Sequence, residues 1–234
     1  MKLEICTNSY LSALNAQEAG AHRIELCSEL SLGGITPSYG LLKKITQDLT
    51  IETFVLIRPR SGDFVYTNDE FEIMKQNILL CKELGVHGIV SGVLHSNNTI
   101  DIRRTKELFE LAKPLSFTFH RAFDLVNDPY EAVTQLINLG VERVLTSGQA
   151  NTAEKGLALL HELQKSFGNK ITIMAGSGIT PLNAHLFKEI GLTEIHSSAS
   201  KKIDTNNADS NYFGTSIQIY SDKTIIKEFI STIN

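Results

Sequence analysis

Two short segments near the amino terminus carry the side chains best suited to chemistry. Glu4 and Cys6 flank a single apolar residue, and Glu25 and Cys27 repeat that spacing. Because side chains alternate along a strand, each carboxylate shares a face with its thiol. Carboxylates transfer protons, and thiolates bind soft metal ions. The pattern predicts a binding or catalytic site on this face. The structural alternatives are ion pairs that only fix the strand register, and a pair of buried, inert cysteines.

Two histidines stand at the ends of later apolar runs. His120 is followed closely by Arg121 and Asp124, and His196 comes two residues after Glu194 on the same predicted face. An imidazole titrates near neutral pH, so either histidine could act as a general acid or base. The alternative for each is a structural histidine that is held by hydrogen bonds.

Several residues could bind an anion. Arg58 and Arg60 flank a proline, and two guanidinium groups on a stiff turn could grip a phosphate or carboxylate, although one of them could instead close a salt bridge. Glycine-rich turns bind phosphate through main-chain N–H groups, but glycine also suits any tight turn. The other candidates are Arg121, Gly176, Ser177, Gly178 and Ser197.

Eight short apolar runs, separated by helix-patterned segments, must position these side chains. Each run ends in polar or glycine residues. The alternation of strand-like runs and helical segments predicts an α/β fold, namely a single-domain TIM (β/α)8 barrel over residues 1–234. In such a barrel the carboxyl ends of the strands surround one common opening. The helical stripe of residues 69–84 places Cys81 in the core. Residues 201–221 form a long polar stretch that predicts a functional or mobile loop. Helix starts are predicted at Thr36-Pro37, Asp128-Pro129 and Thr180-Pro181.

Composition narrows the class of protein. The chain of 234 residues has a formal net charge of −4, which gives no general attraction for nucleic acid or anionic membranes, so small molecules are the expected partners. We find no apolar segment long enough for a membrane span and no signal-peptide pattern. Three cysteines form no disulfide framework, which predicts a cytoplasmic location.

Seven segments resemble the signature strings of the CutC family. The resemblance covers all but about the last 30 residues, and it implies a cytoplasmic barrel that forms a homo-oligomer, a dimer or tetramer, with a role in copper homeostasis. It places copper, as Cu(I), on the metal ligands Cys6 and Cys27; some relatives have a further cysteine where this chain has Ser197. The segments are 21–27, 33–38, 57–64, 118–124, 143–148, 174–179 and 194–199.

Two functions therefore remain open. One is a metal-binding protein that buffers or delivers Cu(I). The other is a barrel enzyme that acts on a small anionic metabolite, such as a phosphorylated one, held by Arg58 and Arg60. In that enzyme Glu25 and His120 would be acid and base, oriented by a further set of catalytic candidates, Glu4, Asp124 and His196. A purely structural role is the least favoured reading.

Overall fold

Eight parallel strands close into a barrel in sequence order, as predicted. The computed structural model describes residues 1–204 and 217–233. Each strand pairs with the next, and the last pairs with the first. The barrel strands are β1 (Lys2–Thr7), β2 (Arg23–Leu26), β3 (Glu52–Leu56), β4 (Gly88–Ser91), β5 (Ser116–Phe119), β6 (Arg143–Thr146), β7 (Thr172–Gly176) and β8 (Glu194–Ser197).

A helix follows every strand and covers the outside of the barrel. The helices are α1 (Tyr10–Glu18), α2 (Tyr39–Asp48), α3 (Asn68–Glu83), α4 (Ile102–Ala112), α5 (Pro129–Leu139), α6 (Leu157–Phe167), α7 (Ala184–Glu189) and α8 (Lys223–Ile233). None of the helices within the described residues is long and apolar enough to cross a membrane. Cys81 on α3 is 1% exposed, which confirms its place in the core.

Of the three predicted helix starts, one is correct. Asp128 accepts hydrogen bonds from the first turn of α5, which begins at Pro129. Thr36 instead binds the end of β3 through its side chain and main chain, and α2 begins later, at Tyr39. Thr180 lies in a turn closed by an asparagine side chain, and α7 begins only at Ala184.

The predicted alternation of faces on β1 and β2 is confirmed. Leu3, Ile5, Ile24 and Leu26 are fully buried between the barrel and the helices. The carboxylates and thiols of the same strands point into the barrel, where an inner apolar cluster includes Cys6, Cys27 and Phe54. The strand register therefore gathers the reactive groups on the inside.

The polar stretch at 201–221 is in part a hairpin. Antiparallel strands β9 (Ser200–Asp204) and β10 (Ile217–Ser221) pair with each other, and the residues between them lie outside the described part of the chain. Ser221 donates its hydroxyl to the carbonyl of Cys6 (3.3 Å), and its N–H binds the hydroxyl of Ser12 (3.0 Å). The hairpin is thereby tied to the amino-terminal βα unit.

Candidate functional site

A cavity of about 710 Å³ opens at the carboxyl ends of the barrel strands. This is the end of a (β/α)8 barrel where ligands and chemistry are found. Its floor carries titratable and soft side chains, and its walls are largely apolar. Among the residues that line it are Cys6, Glu25, His120, His196, Ser177, Ser198, Leu145, Ile179 and Phe229.

A network of buried ion pairs lies below the cavity. The Arg23 guanidinium donates to Glu4 (2.5 Å) and to Glu194 (2.6 Å), and Arg143 donates to the same oxygen of Glu194 (2.6 Å). Arg23 also stacks over the Phe54 ring, with 4.6 Å to the centroid. Burial would raise the pKa of Glu4, but Arg23 and a hydrogen bond from a histidine outweigh it and lower that pKa to about 2. Glu4 is therefore held as a carboxylate.

His196 connects this network to the cavity. Its Nδ1 lies 2.7 Å from Glu4 Oε1, and its Nε2 lies 3.6 Å from Glu25 Oε2. Burial alone would lower the pKa of His196, but the hydrogen bond to Glu4 and the nearby carboxylates raise it overall. Burial raises the pKa of Glu25. A Cβ at Gly176 would lie 2.7 Å from Leu145 Cδ1, so the glycine leaves room for that side chain, and it would make only ordinary contacts with His196 (3.4 Å to Cδ2). The result is a buried acid–base pair at the cavity floor.

The two inward thiols meet beside this pair. Cys6 Sγ lies 3.6 Å from Cys27 Sγ; Cys6 is 5% exposed and lines the cavity, while Cys27 is fully buried behind it. The hydrogen bond to Cys27, burial and the nearby Glu25 charge raise the pKa of Cys6. Ligand atoms of Cys6, Glu25 and His196 all lie within 4.8 Å of one another. These three side chains could hold one metal ion, and Cys27 adjoins the group through its contact with Cys6.

His120 and Glu25, the predicted acid and base, both line the cavity. The imidazole within ion-pair distance of Glu25 is that of His196 (3.6 Å). Burial and the charge of Arg58 lower the pKa of His120 to about 3, so the ring is neutral near pH 7. Its Nδ1 accepts the N–H of Ala122, so Nε2 carries the proton, and this buried donor has no hydrogen-bond partner within the described residues.

The arginines of the Arg-Pro-Arg turn do not form the predicted anion clamp. Arg58 Nη1 and Nη2 donate to the carbonyls of Leu32, Gly34 and Gly62, so this guanidinium ties two loops together. Arg60 does not line the cavity; it pairs with Glu70 (2.5 Å) and with Asp63 (3.0 Å) on the outer surface. Arg60 thus follows the salt-bridge alternative of the sequence analysis, whereas Arg58 lines the cavity and its buried Nε has no hydrogen-bond partner within the described residues.

Arg121 and Asp124 also bind each other. Arg121 Nε donates to Asp124 Oδ2 (2.8 Å), and Asp124 accepts further hydrogen bonds from Thr146 and Ser147. Asp124 therefore fastens the loop after β6 and does not orient either histidine. Arg121 remains at the edge of the cavity.

The loops after β7 and β8 form one wall of the cavity. Ser197 Oγ donates to the carbonyl of Ile179 (2.9 Å) and joins the two loops, and Ser177 Oγ donates to Asn151 (3.0 Å). The side chains of both serines are therefore already bonded. Any ligand on this wall would meet main-chain groups, in line with the role predicted for Gly176, Ser177 and Gly178.

Sequence reasoning missed part of the network beneath the site. Arg143 is not among the site residues predicted from the sequence, although it is one of the two cations that hold Glu194. Its signal was a charged residue at the head of an apolar run, as at Arg23. Because charged side chains are buried only when paired, each such residue indicates an interior partner.

Comparison with known proteins gives a consistent match. A family model described as the CutC family matches residues 1–201. A relative from Photorhabdus laumondii subsp. laumondii, described as a family protein CutC, is 50% identical over 200 residues, which cover 86% of this chain and 80% of the relative. A second relative, from Edwardsiella ictaluri and with the same description, is 48% identical over 199 residues, which cover 85% of this chain and 79% of that relative.

Solved structures agree. The crystal structure of a CutC protein from Streptococcus agalactiae is 34% identical, with a TM-score of 0.81 over 85% of this chain and 98% of that chain. Thiamine phosphate pyrophosphorylase from Pyrococcus furiosus, 17% identical with a TM-score of 0.61 over 99% of this chain and 94% of that chain, shares the fold alone.

Proposed function

The chain belongs to the CutC family, and on that premise we propose that it binds Cu(I) as a cargo ion through Cys6 and Cys27. The observation that carries the proposal is the distance of 3.6 Å between the two sulfurs, one of which faces the cavity. Soft thiolate ligands favour Cu(I) over hard cations. The copper homeostasis role implied by the family resemblance fits a protein that buffers or delivers this ion.

The spacing of the thiols suits a shared metal ion. With metal–sulfur bonds of about 2.3 Å, as thiolates form with zinc, sulfurs at this separation would subtend an angle of about 100° at the metal. That leaves one side open for a third ligand, and the ligand atoms of His196 and Glu25 lie within 4.8 Å of Cys6 Sγ. Ser197 contributes no thiol, so the set is two sulfurs with a nitrogen or oxygen donor.

Electrostatics sets the conditions for binding. The pKa of Cys6 is raised, so the free protein holds this thiol protonated, and Cu(I) must displace its proton. The affinity for Cu(I) should therefore fall as the pH is lowered. Glu25, whose pKa is also raised, lies beside Cys6 and can take up the released proton.

The test is a Cu(I) competition titration under anaerobic conditions against a chromophoric chelator. We expect the Cys6→Ser/Cys27→Ser variant to lose at least a hundredfold in affinity. The matched control is Cys81→Ala, which removes the third cysteine from the core of α3 and should bind as the wild type does. Equal affinity in the wild type and the double variant would refute the proposal.

A separate observation favours a second candidate function. A cavity of about 710 Å³ far exceeds what one ion needs, and it lies over a histidine with a raised pKa and a carboxyl group with a raised pKa. Groups tuned toward neutral pH suit general acid–base catalysis. In this candidate, Glu25 takes a proton from a bound small molecule, and His196 Nε2–H donates one, while Glu4 orients the ring through Nδ1.

The second candidate predicts proton transfer to and from carbon in a small carbonyl compound. The assay is 1H NMR in D2O, in which a mixed set of small phosphorylated and free carbonyl compounds is followed for deuterium incorporation or turnover. Glu25→Gln should reduce the rate at least a hundredfold, while Glu70→Gln, on the outer surface, should leave it unchanged. If no compound exchanges with the wild type, or if Glu25→Gln is fully active, the acid–base role is wrong.

A further inference from the structure

The loops after β7 and β8 present a group of main-chain donors to the cavity. Among the described residues, the N–H groups of Ser177, Gly178, Ile179 and Ser198 make no hydrogen bond. All four residues line the cavity. Unpaired donors in one wall make that wall a place for an acceptor with several oxygens.

The carbonyl groups of residues 177–179 each accept a hydrogen bond from the protein. The carbonyl of Ser177 accepts the N–H of Ala153 (2.9 Å), that of Gly178 accepts Asn183 Nδ2 (3.1 Å), and that of Ile179 accepts Ser197 Oγ (2.9 Å). In the two peptide units that join Ser177, Gly178 and Ile179, the carbonyl is therefore bonded and the N–H is free, whereas the N–H of Thr180, in the next unit, donates to Asn183 Oδ1 (2.8 Å). The wall is therefore selective for a negative ligand.

The backbone of this wall adopts conformations that side chains rarely tolerate. Ser177 has φ of 88° and Ala199 has φ of 44°, although neither is glycine, and Gly178, next to Ser177, has φ of 70°. Strained backbone of this kind persists where the surrounding contacts hold it, and it is concentrated at ligand sites. Here the bonds of Ser177 Oγ and Ser197 Oγ hold both loops in place.

We infer that these two loops form the binding site for the phosphate group of a small phosphate monoester. A phosphate presents three terminal oxygens to the four N–H donors, whereas a carboxylate has only two. The inference deepens the second candidate function and rests on it for the fate of the ligand, but not for binding itself.

A buried histidine in the cavity indicates what the rest of the ligand carries. His120 is 4% exposed, lines the cavity from β5, and its Nε2–H lacks an acceptor within the described residues. A buried donor without a partner is costly, and a carbonyl or hydroxyl oxygen of the ligand would satisfy it. Glu25 and His196 line the floor of the same cavity. The assigned class is therefore a phosphate monoester with an oxygen function on its carbon skeleton.

The test measures binding without turnover. Inorganic phosphate, dihydroxyacetone phosphate and acetate are titrated against the wild type by calorimetry. Ser198→Asp places a carboxylate among the free N–H groups. We expect this variant to bind inorganic phosphate and the phosphate ester at least tenfold more weakly than the wild type does. Ser166→Asp adds the same charge on the exposed end of α6 and should bind both as the wild type does. Circular dichroism and the Tm without ligand check that both variants fold.

Three results would overturn the inference: no saturable phosphate binding by the wild type, equal loss in the two aspartate variants, or acetate binding as tight as phosphate. His120→Phe should remove the extra affinity of the ester over phosphate and leave phosphate unchanged; an unchanged preference would refute the assignment of His120. Glu25→Gln should still bind phosphate, so loss of turnover without loss of binding separates this inference from the acid–base proposal. Cu(I) affinity should be unchanged in Ser198→Asp.

Discussion

Replacing Glu4 by Gln should lower the pKa of His196. Glutamine keeps an oxygen that can accept the Nδ1–H bond, now 2.7 Å long, but it removes the charge that stabilises the imidazolium. A hydrogen bond to a charged group contributes about 1.5–3 kcal/mol, against about 1 kcal/mol for a neutral one, so the charge accounts for roughly 0.5–2 kcal/mol. At 1.36 kcal/mol for each unit, the pKa of His196 should fall by about 0.4–1.5 units.

The assay is an NMR titration of the histidine ring signals, with His196 assigned by its loss in His196→Asn. The same change should appear in stability. A histidine with a raised folded pKa contributes stability that is fully present below the unfolded pKa of about 6.5 and lost as the pH rises through the folded pKa. In Glu4→Gln this loss should be smaller and occur at lower pH. Because Arg23 loses one of its two carboxylate partners, we also expect the free energy of unfolding measured in urea to fall by about 1.5–3 kcal/mol, the contribution of a hydrogen bond to a charged group.

The pKa of His196 is the decisive quantity. If it is the same in Glu4→Gln and the wild type, Glu4 does not stabilise the imidazolium, and the reasoning is wrong. Glu70→Gln is the control, because Glu70 pairs with Arg60 on the surface and should leave His196 unaffected.

Three further predictions follow from single contacts. Gly34→Ala should lower the free energy of unfolding by about 1–3 kcal/mol, because residue 34 has a φ of +82° and the new Cβ would lie 2.7 Å from the Leu56 side chain. A chemical denaturation midpoint equal to that of the wild type would contradict this prediction. Arg60→Ala should lower the free energy of unfolding by no more than about 1 kcal/mol, because the ion pairs of Arg60 are on the surface. The same variant should bind phosphate as the wild type does. A tenfold loss of phosphate affinity would show that Arg60 is an anion ligand after all. Burial raises the pKa of Cys81 to about 12, so iodoacetamide at pH 8 should label this thiol only after the protein unfolds. Labelling is followed by mass spectrometry. Rapid labelling of Cys81 in the native protein would exclude the buried position.

Local pattern was enough to predict the fold and the inward face of the first two strands. Alternation alone placed Glu4 with Cys6 and Glu25 with Cys27 inside the barrel, because a strand has a strict period of two. The order of polar-tipped runs and helical segments was enough for a closed (β/α)8 barrel, because such units join parallel strands in sequence order.

Pairing between distant side chains could not be predicted in the same way. Whether Arg60 meets a ligand or Glu70 depends on how α3 packs beside the turn, and that is a matter of tertiary contact. Likewise His120 and His196 have similar local patterns, yet one is neutral beside Arg58 and the other lies between two carboxylates. Residue type and spacing identified the candidates, but long-range neighbours decided their protonation.

The contact between Glu4 and His196 joins residues 192 positions apart, on the first and last strands of the barrel. During synthesis, Cys6 and Cys27 emerge early, whereas the histidine arrives only after most of the chain has been made. Contacts this distant in sequence form late in folding. A nascent chain could therefore already offer two thiols to a metal ion while the imidazole was still missing. The ion pair of Glu4 and His196 is thus a natural reporter of barrel closure.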